Sequence, residues 1–88
     1  MTRMEKSIYT DEYAAFLRLL RETRGAANLT QVQLAKRLRT SQSFVSKAEV
    51  GERRLDLIQL RTILHALGTT LPEFVSDLEA AMRNRQRR

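Results

Sequence analysis

The sequence predicts an all-α domain built from five short helices. Apolar residues recur every three or four positions along five separate segments, which is the period of a helix with one buried face. Each segment opens on a Thr, Ser or Asp suited to cap a helix. A chain of 88 residues allows one small domain, which buries only about 60% of the surface that its unfolded chain exposes. Such a chain would gain stability by dimerising.

The first predicted helix begins after Thr10 and should end at Asn28, a residue that tolerates a left-handed conformation. One face carries a stripe at helical spacing, formed by Tyr13, Phe16, Leu17, Leu20 and Arg24. A guanidinium on a core-facing side needs a partner, and Glu49 on the inward side of the third helix suits that role. The alternative is that Arg24 and Glu49 reach solvent separately.

The second predicted helix opens with a capping box. The Thr30 hydroxyl can accept a bond from a backbone N–H of the first turn, and Gln33 can reach back to the cap. Leu34, Ala35 and Leu38 then repeat at helical spacing. The small side chain of Ala35 allows a close approach between this helix and the next, which should cross it steeply after a tight turn.

The third predicted helix runs from Gln42 to about Val50, with Ser41 as its cap and Gly51 as its end. Helical geometry places three residues inward: Val45, Ala48 and Glu49. Four polar residues fall on the outward side: Gln42, Ser43, Ser46 and Lys47. Amides, hydroxyls and ammonium groups are the groups that read base edges in DNA, although an ordinary solvated face has the same composition. Its position after a helix and a tight turn favours a reading face.

These residues resemble a known family. The runs LTQ-x-x-LA and SQSFVSK-x-E-x-GERR are similar to the lambda-repressor-like helix-turn-helix family, also called the XRE family, and the similarity extends from about Tyr13 to Phe74. The resemblance implies a compact five-helix lambda-repressor-like DNA-binding domain with the helix-turn-helix in helices 2 and 3. It also implies a homodimer acting on a palindromic operator of double-stranded DNA.

The resemblance also implies roles for individual residues. By position, the base-reading residues are Gln42, Ser43, Ser46 and Lys47. The phosphate-binding residues are Gln31, Arg53 and Arg54. Family members often pair an Arg late in the first helix with the Glu that closes the third, which are Arg24 and Glu49 here.

Three positions depart from the family pattern. Arg39 stands where a Gly commonly makes the turn, so this residue must either adopt a left-handed conformation or distort the turn. Ala48 replaces a larger aliphatic residue, which leaves room that neighbours must fill. Asp56 replaces a Ser or Thr before the fourth helix and should still work as a cap.

The last two predicted helices each begin with capping-box spacing, at Asp56 and at Thr70. The fourth should run through Leu67, and the fifth from about Leu71 to Met82 or a little beyond. Acidic residues of the fifth helix would be repelled by DNA, so this helix should point away from the duplex. We expect part of its apolar stripe to be buried within the monomer and part against a second copy, in a dimer interface formed by Phe74, Val75, Leu78 and Met82.

Charge is unevenly distributed along this chain of net charge +6. Six basic and two acidic groups lie in residues 31–54, whereas residues 55–82 carry one basic and four acidic groups. We expect a single domain over residues 11–82, a flexible arm over 1–10 and a basic disordered tail over 83–88. Arg3 and Lys6 of the arm could follow a phosphate backbone, or the terminus could simply fray. The positive charge would favour binding to DNA, because neutralised phosphates release their counterions. A basic excess also suits RNA or acidic lipid.

Composition argues against several classes of protein. The chain has no cysteine, and its one histidine, His65, lies among leucines, so no metal or other cofactor is expected. No Gly-rich phosphate loop and no Ser beside a suitable base is present, so we expect no enzyme. No apolar run approaches the roughly 20 residues of a membrane span, and no signal peptide heads the chain. The sequence therefore predicts a cytoplasmic protein that does not bind membranes.

The predicted function is a sequence-specific, dimeric transcriptional repressor. A competing hypothesis is an antitoxin-type interaction module that binds a partner protein such as a toxin and autoregulates its operon. A third is non-specific packaging of nucleic acid through the basic tail. Base preference measured against random competitor DNA separates the first hypothesis from the third.

Overall fold

The computed structural model describes residues 10–86 and confirms the predicted five-helix, all-α fold. The helices are α1 Asp11–Ala26, α2 Gln31–Leu38, α3 Gln42–Val50, α4 Leu57–Ala66 and α5 Leu71–Gln86. Most of the arm predicted over residues 1–10, including Arg3 and Lys6, lies outside the described residues, as do residues 87–88. Of the described helices, none has both the length and the apolar character needed to cross a membrane.

Side-chain caps fix where the helices begin. The Thr30 hydroxyl accepts from the backbone N–H of Gln33 at 3.1 Å, and the Gln33 side-chain oxygen accepts from the Thr30 N–H at 2.8 Å. Asp56 starts α4 with the same reciprocal pair. At α5 the box is only half formed, because the Glu73 carboxylate accepts from the Thr69 hydroxyl rather than from the backbone of the capping residue. The local sequence therefore determines the residue at which each of these helices begins.

The turn between α2 and α3 depends on one left-handed residue. Arg39 adopts φ 57° and ψ 45°, and the next N–H, that of Thr40, donates to the Ala35 carbonyl at 2.9 Å. This bond is the long one of a Schellman motif, which satisfies a carbonyl at the end of α2. Arg39 thus follows the first of its two predicted options at a cost of about 1–2 kcal/mol relative to Gly. The tight turn forms here without a glycine.

The core lies where α1, α2, α3 and α4 meet, with α5 closing it against α1 and α4. Leu64 of α4 is fully buried at its centre. The buried apolar residues packed around it include Leu20, Leu34, Val45, Ile63 and Phe74. This packing holds α3 against α1 and α2 against α4.

Phe74 corrects one sequence prediction. The sequence predicts this residue at a dimer interface, but only 2% of its surface is exposed. Its ring meets that of Phe16 edge to face, with centroids 5.9 Å apart. The first turns of α5 direct their apolar stripe into the monomer core, because α5 packs on both α1 and α4. Phe74 is therefore not available to a second copy.

The room left by Ala48 is almost filled by its neighbours. A void of about 10 Å³ lies beside it, bordered by residues that include Leu20, Val45 and Ile63. This volume is at the lower limit for holding one water molecule. The small residue at position 48 therefore leaves no functional cavity.

The fifth helix is longer than predicted and enters the basic tail. It continues past Met82 to Gln86, so the expectation of a disordered tail from residue 83 is corrected for residues 83–86. Arginine is a good helix former, and cationic side chains are favoured near the negative end of a helix. No Gly or Pro stops the helix in this stretch.

Candidate nucleic-acid interface

One side of α3 offers polar side chains to solvent. Gln42, Ser43 and Lys47 are exposed, and Ser46 is half-buried. The opposite side is anchored, since three residues of α3 are buried: Val45, Ala48 and Glu49. Contacts with α1 and α2 support this buried side. The structure thus brings the four predicted base-reading residues onto the accessible part of one supported helix.

A buried ion pair joins α1 to α3, as the Arg24 stripe predicts. Arg24 donates from Nε to Oε2 of Glu49 at 2.6 Å and from Nη2 to Oε1 at 3.0 Å. Its third nitrogen, Nη1, donates to the Leu29 carbonyl at 2.9 Å. The Glu49 side chain is only 3% exposed. The hydrogen bonds that Arg24 donates to Glu49 raise the pKa of Arg24, burial opposes this increase, and the charge of Glu49 adds to it.

The ion pair continues outward as a chain of side-chain amides. Gln31 at the start of α2 donates from Nε2 to Oε1 of Glu49 at 2.9 Å. Gln42 at the start of α3 donates from Nε2 to Oε1 of Gln31 at 2.7 Å. An exposed residue of the polar face is therefore connected to a buried carboxylate through one intermediate. Sequence patterns did not predict these contacts, because they depend on the rotamers of side chains from different helices.

Arg21 is a further residue that the sequence analysis missed. Its Nη1 donates to the backbone carbonyl of Glu49 at 3.0 Å. A cationic side chain bonded to a carbonyl in the last turn stabilises the negative end of a helix. The spacing from Arg21 to Arg24 places both on one face of α1 and could have indicated a second contact with α3.

The two arginines after α3 lie on aromatic rings. The Arg53 guanidinium carbon is 5.2 Å from the centre of the Phe44 ring, and that of Arg54 is 4.8 Å from the centre of the Tyr13 ring. Both arginines are exposed. A guanidinium over a ring loses little of its donor capacity, because its N–H groups lie at the edge of its plane. Arg53 and Arg54 are thus oriented and still free to bind an anion.

Part of the predicted dimer surface is open. Val75 is 43% exposed, and Leu78 and Met82 are half-buried. Leu78 and Met82 line a groove of about 440 Å³ between α1, α4 and α5. The groove also includes Leu57, which is 62% exposed.

Comparison with known proteins identifies the family. A family model described as helix-turn-helix matches residues 20–74. Among solved structures, an XRE-family like protein from Pseudomonas syringae pv. tomato str. DC3000 is 47% identical, with a TM-score of 0.77. That match covers 86% of this chain and 93% of the other. The chain belongs to the XRE family of helix-turn-helix proteins. This XRE-family protein is a DNA-binding transcription regulator. A search of curated proteins found no match.

The matched region of this XRE-family protein contains the structural unit described above. Residues 20–74 include both partners of the ion pair and all of α2, α3 and α4. The matched region ends at Phe74, so the later turns of α5 lie outside it. The family model therefore covers the whole of α2, the turn and α3, whereas Val75, Leu78 and Met82 lie beyond its last matched residue.

Proposed function

We propose that this regulator is a repressor that binds a palindromic operator as a homodimer. An operator that overlaps a promoter would exclude RNA polymerase when it is occupied. The observation that carries the proposal is the exposed polar face of α3, which projects from a helix whose other side is buried. In a dimer, the α3 helices of the two protomers can lie about 34–36 Å apart, one turn of DNA. The dimer then contacts twice as many bases as one small domain.

Base reading is assigned to Gln42, Ser43, Ser46 and Lys47. A helix such as α3 is about 10–12 Å across with its side chains and fits the major groove, which is about 12 Å wide. A Gln amide matches the donor and acceptor of adenine, and a Lys ammonium donates to guanine. The four side chains thus supply complementary hydrogen-bonding groups at the groove floor.

Phosphate contacts are assigned to Gln31, Arg53 and Arg54, which flank the reading face. Gln31 occupies the first turn of α2, where backbone N–H groups lack helical acceptors and favour anions. The aromatic rings under Arg53 and Arg54 reduce the entropy lost when these side chains bind phosphate. Such contacts position the protein on the duplex without reading its sequence.

Replacing Gln42 or Lys47 by Ala should relax base preference at one base pair of the operator. Each change should cost about 1–3 kcal/mol of discrimination, because it removes base-edge hydrogen bonds. Arg53→Ala is the matched control, and it should weaken binding to all sequences about equally and flatten the salt dependence. Binding to a selected duplex and to its single-base variants, measured at several salt concentrations, checks both outcomes. Unchanged base preference in Gln42→Ala and Lys47→Ala would rule out the assigned reading face.

The proposed dimer interface consists of Val75, Leu78 and Met82, and it rests on the exposure of Val75 beside the apolar groove. Sedimentation at micromolar concentration should give twice the monomer mass of 10.2 kDa. Val75→Glu should return the protein to monomers, because a charge buried in an apolar interface is strongly unfavourable. Val32→Glu on α2 is a matched control at another exposed valine and should leave the dimer intact. A wild-type protein that sediments only as a monomer would contradict the proposed homodimer.

A further inference from the structure

Hydrogen bonds through Gln31 connect the buried carboxylate of Glu49 to the exposed amide of Gln42, and the chemistry of these groups fixes which one donates in each bond. Both Glu49 oxygens accept bonds from Arg24, and Oε1 also accepts from Gln31. A carboxylate paired with a guanidinium acts only as an acceptor, whereas an amide carries an acceptor on one side and a donor on the other. Gln31 must therefore direct its NH₂ group toward Glu49 and its oxygen toward Gln42.

The same logic fixes the amide of Gln42. Because the Gln31 side chain presents an oxygen, Gln42 must approach it with its own NH₂ group, as the 2.7 Å contact shows. One of the two N–H bonds of that group is then occupied. Gln42 keeps a free oxygen and one free N–H. Its remaining edge offers one acceptor and one donor.

From this we infer that Glu49 is a positioning residue for base selectivity: acting through Gln31, it sets Gln42 to favour adenine over guanine. The inference rests on the proposed function, in which Gln42 meets a base edge in the major groove. Adenine presents an acceptor at N7 and a donor at N6, which match the free oxygen and N–H of Gln42. Guanine presents two acceptors, N7 and O6, and would need both N–H bonds of one NH₂ group.

Glu49→Gln removes the direction of the chain while keeping the size of the side chain. A Gln at position 49 can accept or donate, so Gln31 can reverse and offer its NH₂ group to the oxygen of Gln42. Gln42 then exposes two N–H bonds, and guanine becomes acceptable. Gln31→Met has the same consequence by another route, because it removes the intermediate and leaves the Arg24–Glu49 pair intact. Arg24→Lys weakens the ion pair but keeps the acceptor-only carboxylate.

The test is binding of the full chain to a randomised duplex library, followed by sequencing of the bound fraction. At the base pair whose preference is lost in Gln42→Ala, Glu49→Gln and Gln31→Met should each reduce the adenine-over-guanine ratio about tenfold, within the range that one bidentate contact supplies. Arg24→Lys should lower stability and keep the wild-type ratio. A wild-type ratio in both Glu49→Gln and Gln31→Met would overturn the inference, as would an equal loss of preference in a folded Arg24→Lys. Wild-type protein with no base preference at all would instead overturn the proposed function.

A measurement without DNA tests the hydrogen-bond chain by itself. In the free protein, the side-chain NH₂ groups of Gln31 and Gln42 should have ¹H and ¹⁵N chemical shifts that differ from those of solvated amides. The Gln42 signals should move toward solvated values in both Glu49→Gln and Gln31→Met, and they should keep their positions in Arg24→Lys. Gln42 signals that already match a solvated amide in the wild type would contradict the inference whatever the DNA results.

Discussion

Arg24→Ala should lower the free energy of unfolding by about 3–5 kcal/mol, the usual cost of removing one partner of a buried ion pair. The variant leaves the Glu49 carboxylate, 3% exposed, without both of its bonds from the guanidinium and with Gln31 as its remaining side-chain donor. It also frees the Leu29 carbonyl between α1 and α2. Because small domains are stable by only about 5–15 kcal/mol in total, this loss should be visible as a large shift of the urea transition.

Two further variants show whether the unpaired charge causes the loss. Arg18→Ala removes an exposed arginine of the same helix and should change stability by less than about 0.5 kcal/mol. The double variant Arg24→Met with Glu49→Leu replaces both charges by apolar groups and should regain most of the loss, since buried pairs are often no better than well-packed apolar residues. An Arg24→Ala protein as stable as Arg18→Ala would show that the pair contributes nothing.

Phe74→Ala should cost about 3–5 kcal/mol of folding free energy, the range for an aromatic residue deleted from a core. Phe74 is 2% exposed and packs in the main cluster with Leu64 and Leu67. The neighbouring Val75→Ala is the matched control, because Val75 is largely outside that cluster and its truncation should change monomer stability by no more than about 0.5 kcal/mol. Urea denaturation followed by circular dichroism gives both values.

The same pair of variants separates core from interface. If Phe74 belonged to an interface between copies, its truncation would weaken association and leave the unfolding of the separated monomer almost unchanged. A Phe74→Ala protein with wild-type unfolding energy under monomeric conditions would therefore refute the position of this residue in the core.

Most of the fold could be predicted from local sequence patterns, because helix starts depend on residues close together in the chain. Thr30 with Gln33, and Asp56 with Gln59, form the predicted capping boxes because every atom involved lies within one helical turn. The stripe that ends in Arg24 also led to Glu49, because a charge on a buried face has few possible partners.

Features that depend on packing between helices were not predictable in the same way. The spacing of Phe74 fits both the core and a dimer interface, and only the packing of α5 on α1 and α4 distinguishes them. The Gln31 side chain could extend to solvent or join Glu49 and Gln42, depending on side chains of three helices. The contact of the Arg53 guanidinium with the Phe44 ring depends on a loop that starts at Gly51, whose φ is 87°. Sequence patterns identify such residues without fixing their contacts.

The proposed function requires the exposed face of α3 to lie in the major groove and touch base edges. Intermolecular nuclear Overhauser effects between the isotope-labelled protein and an unlabelled duplex selected for tight binding test this placement. We predict contacts from the side chains of Gln42, Ser43 and Lys47 to base protons of the major groove, including thymine methyl groups. Contacts confined to other helices, or to sugar protons alone, with these three side chains unaffected, would rule out α3 as the helix that reads bases.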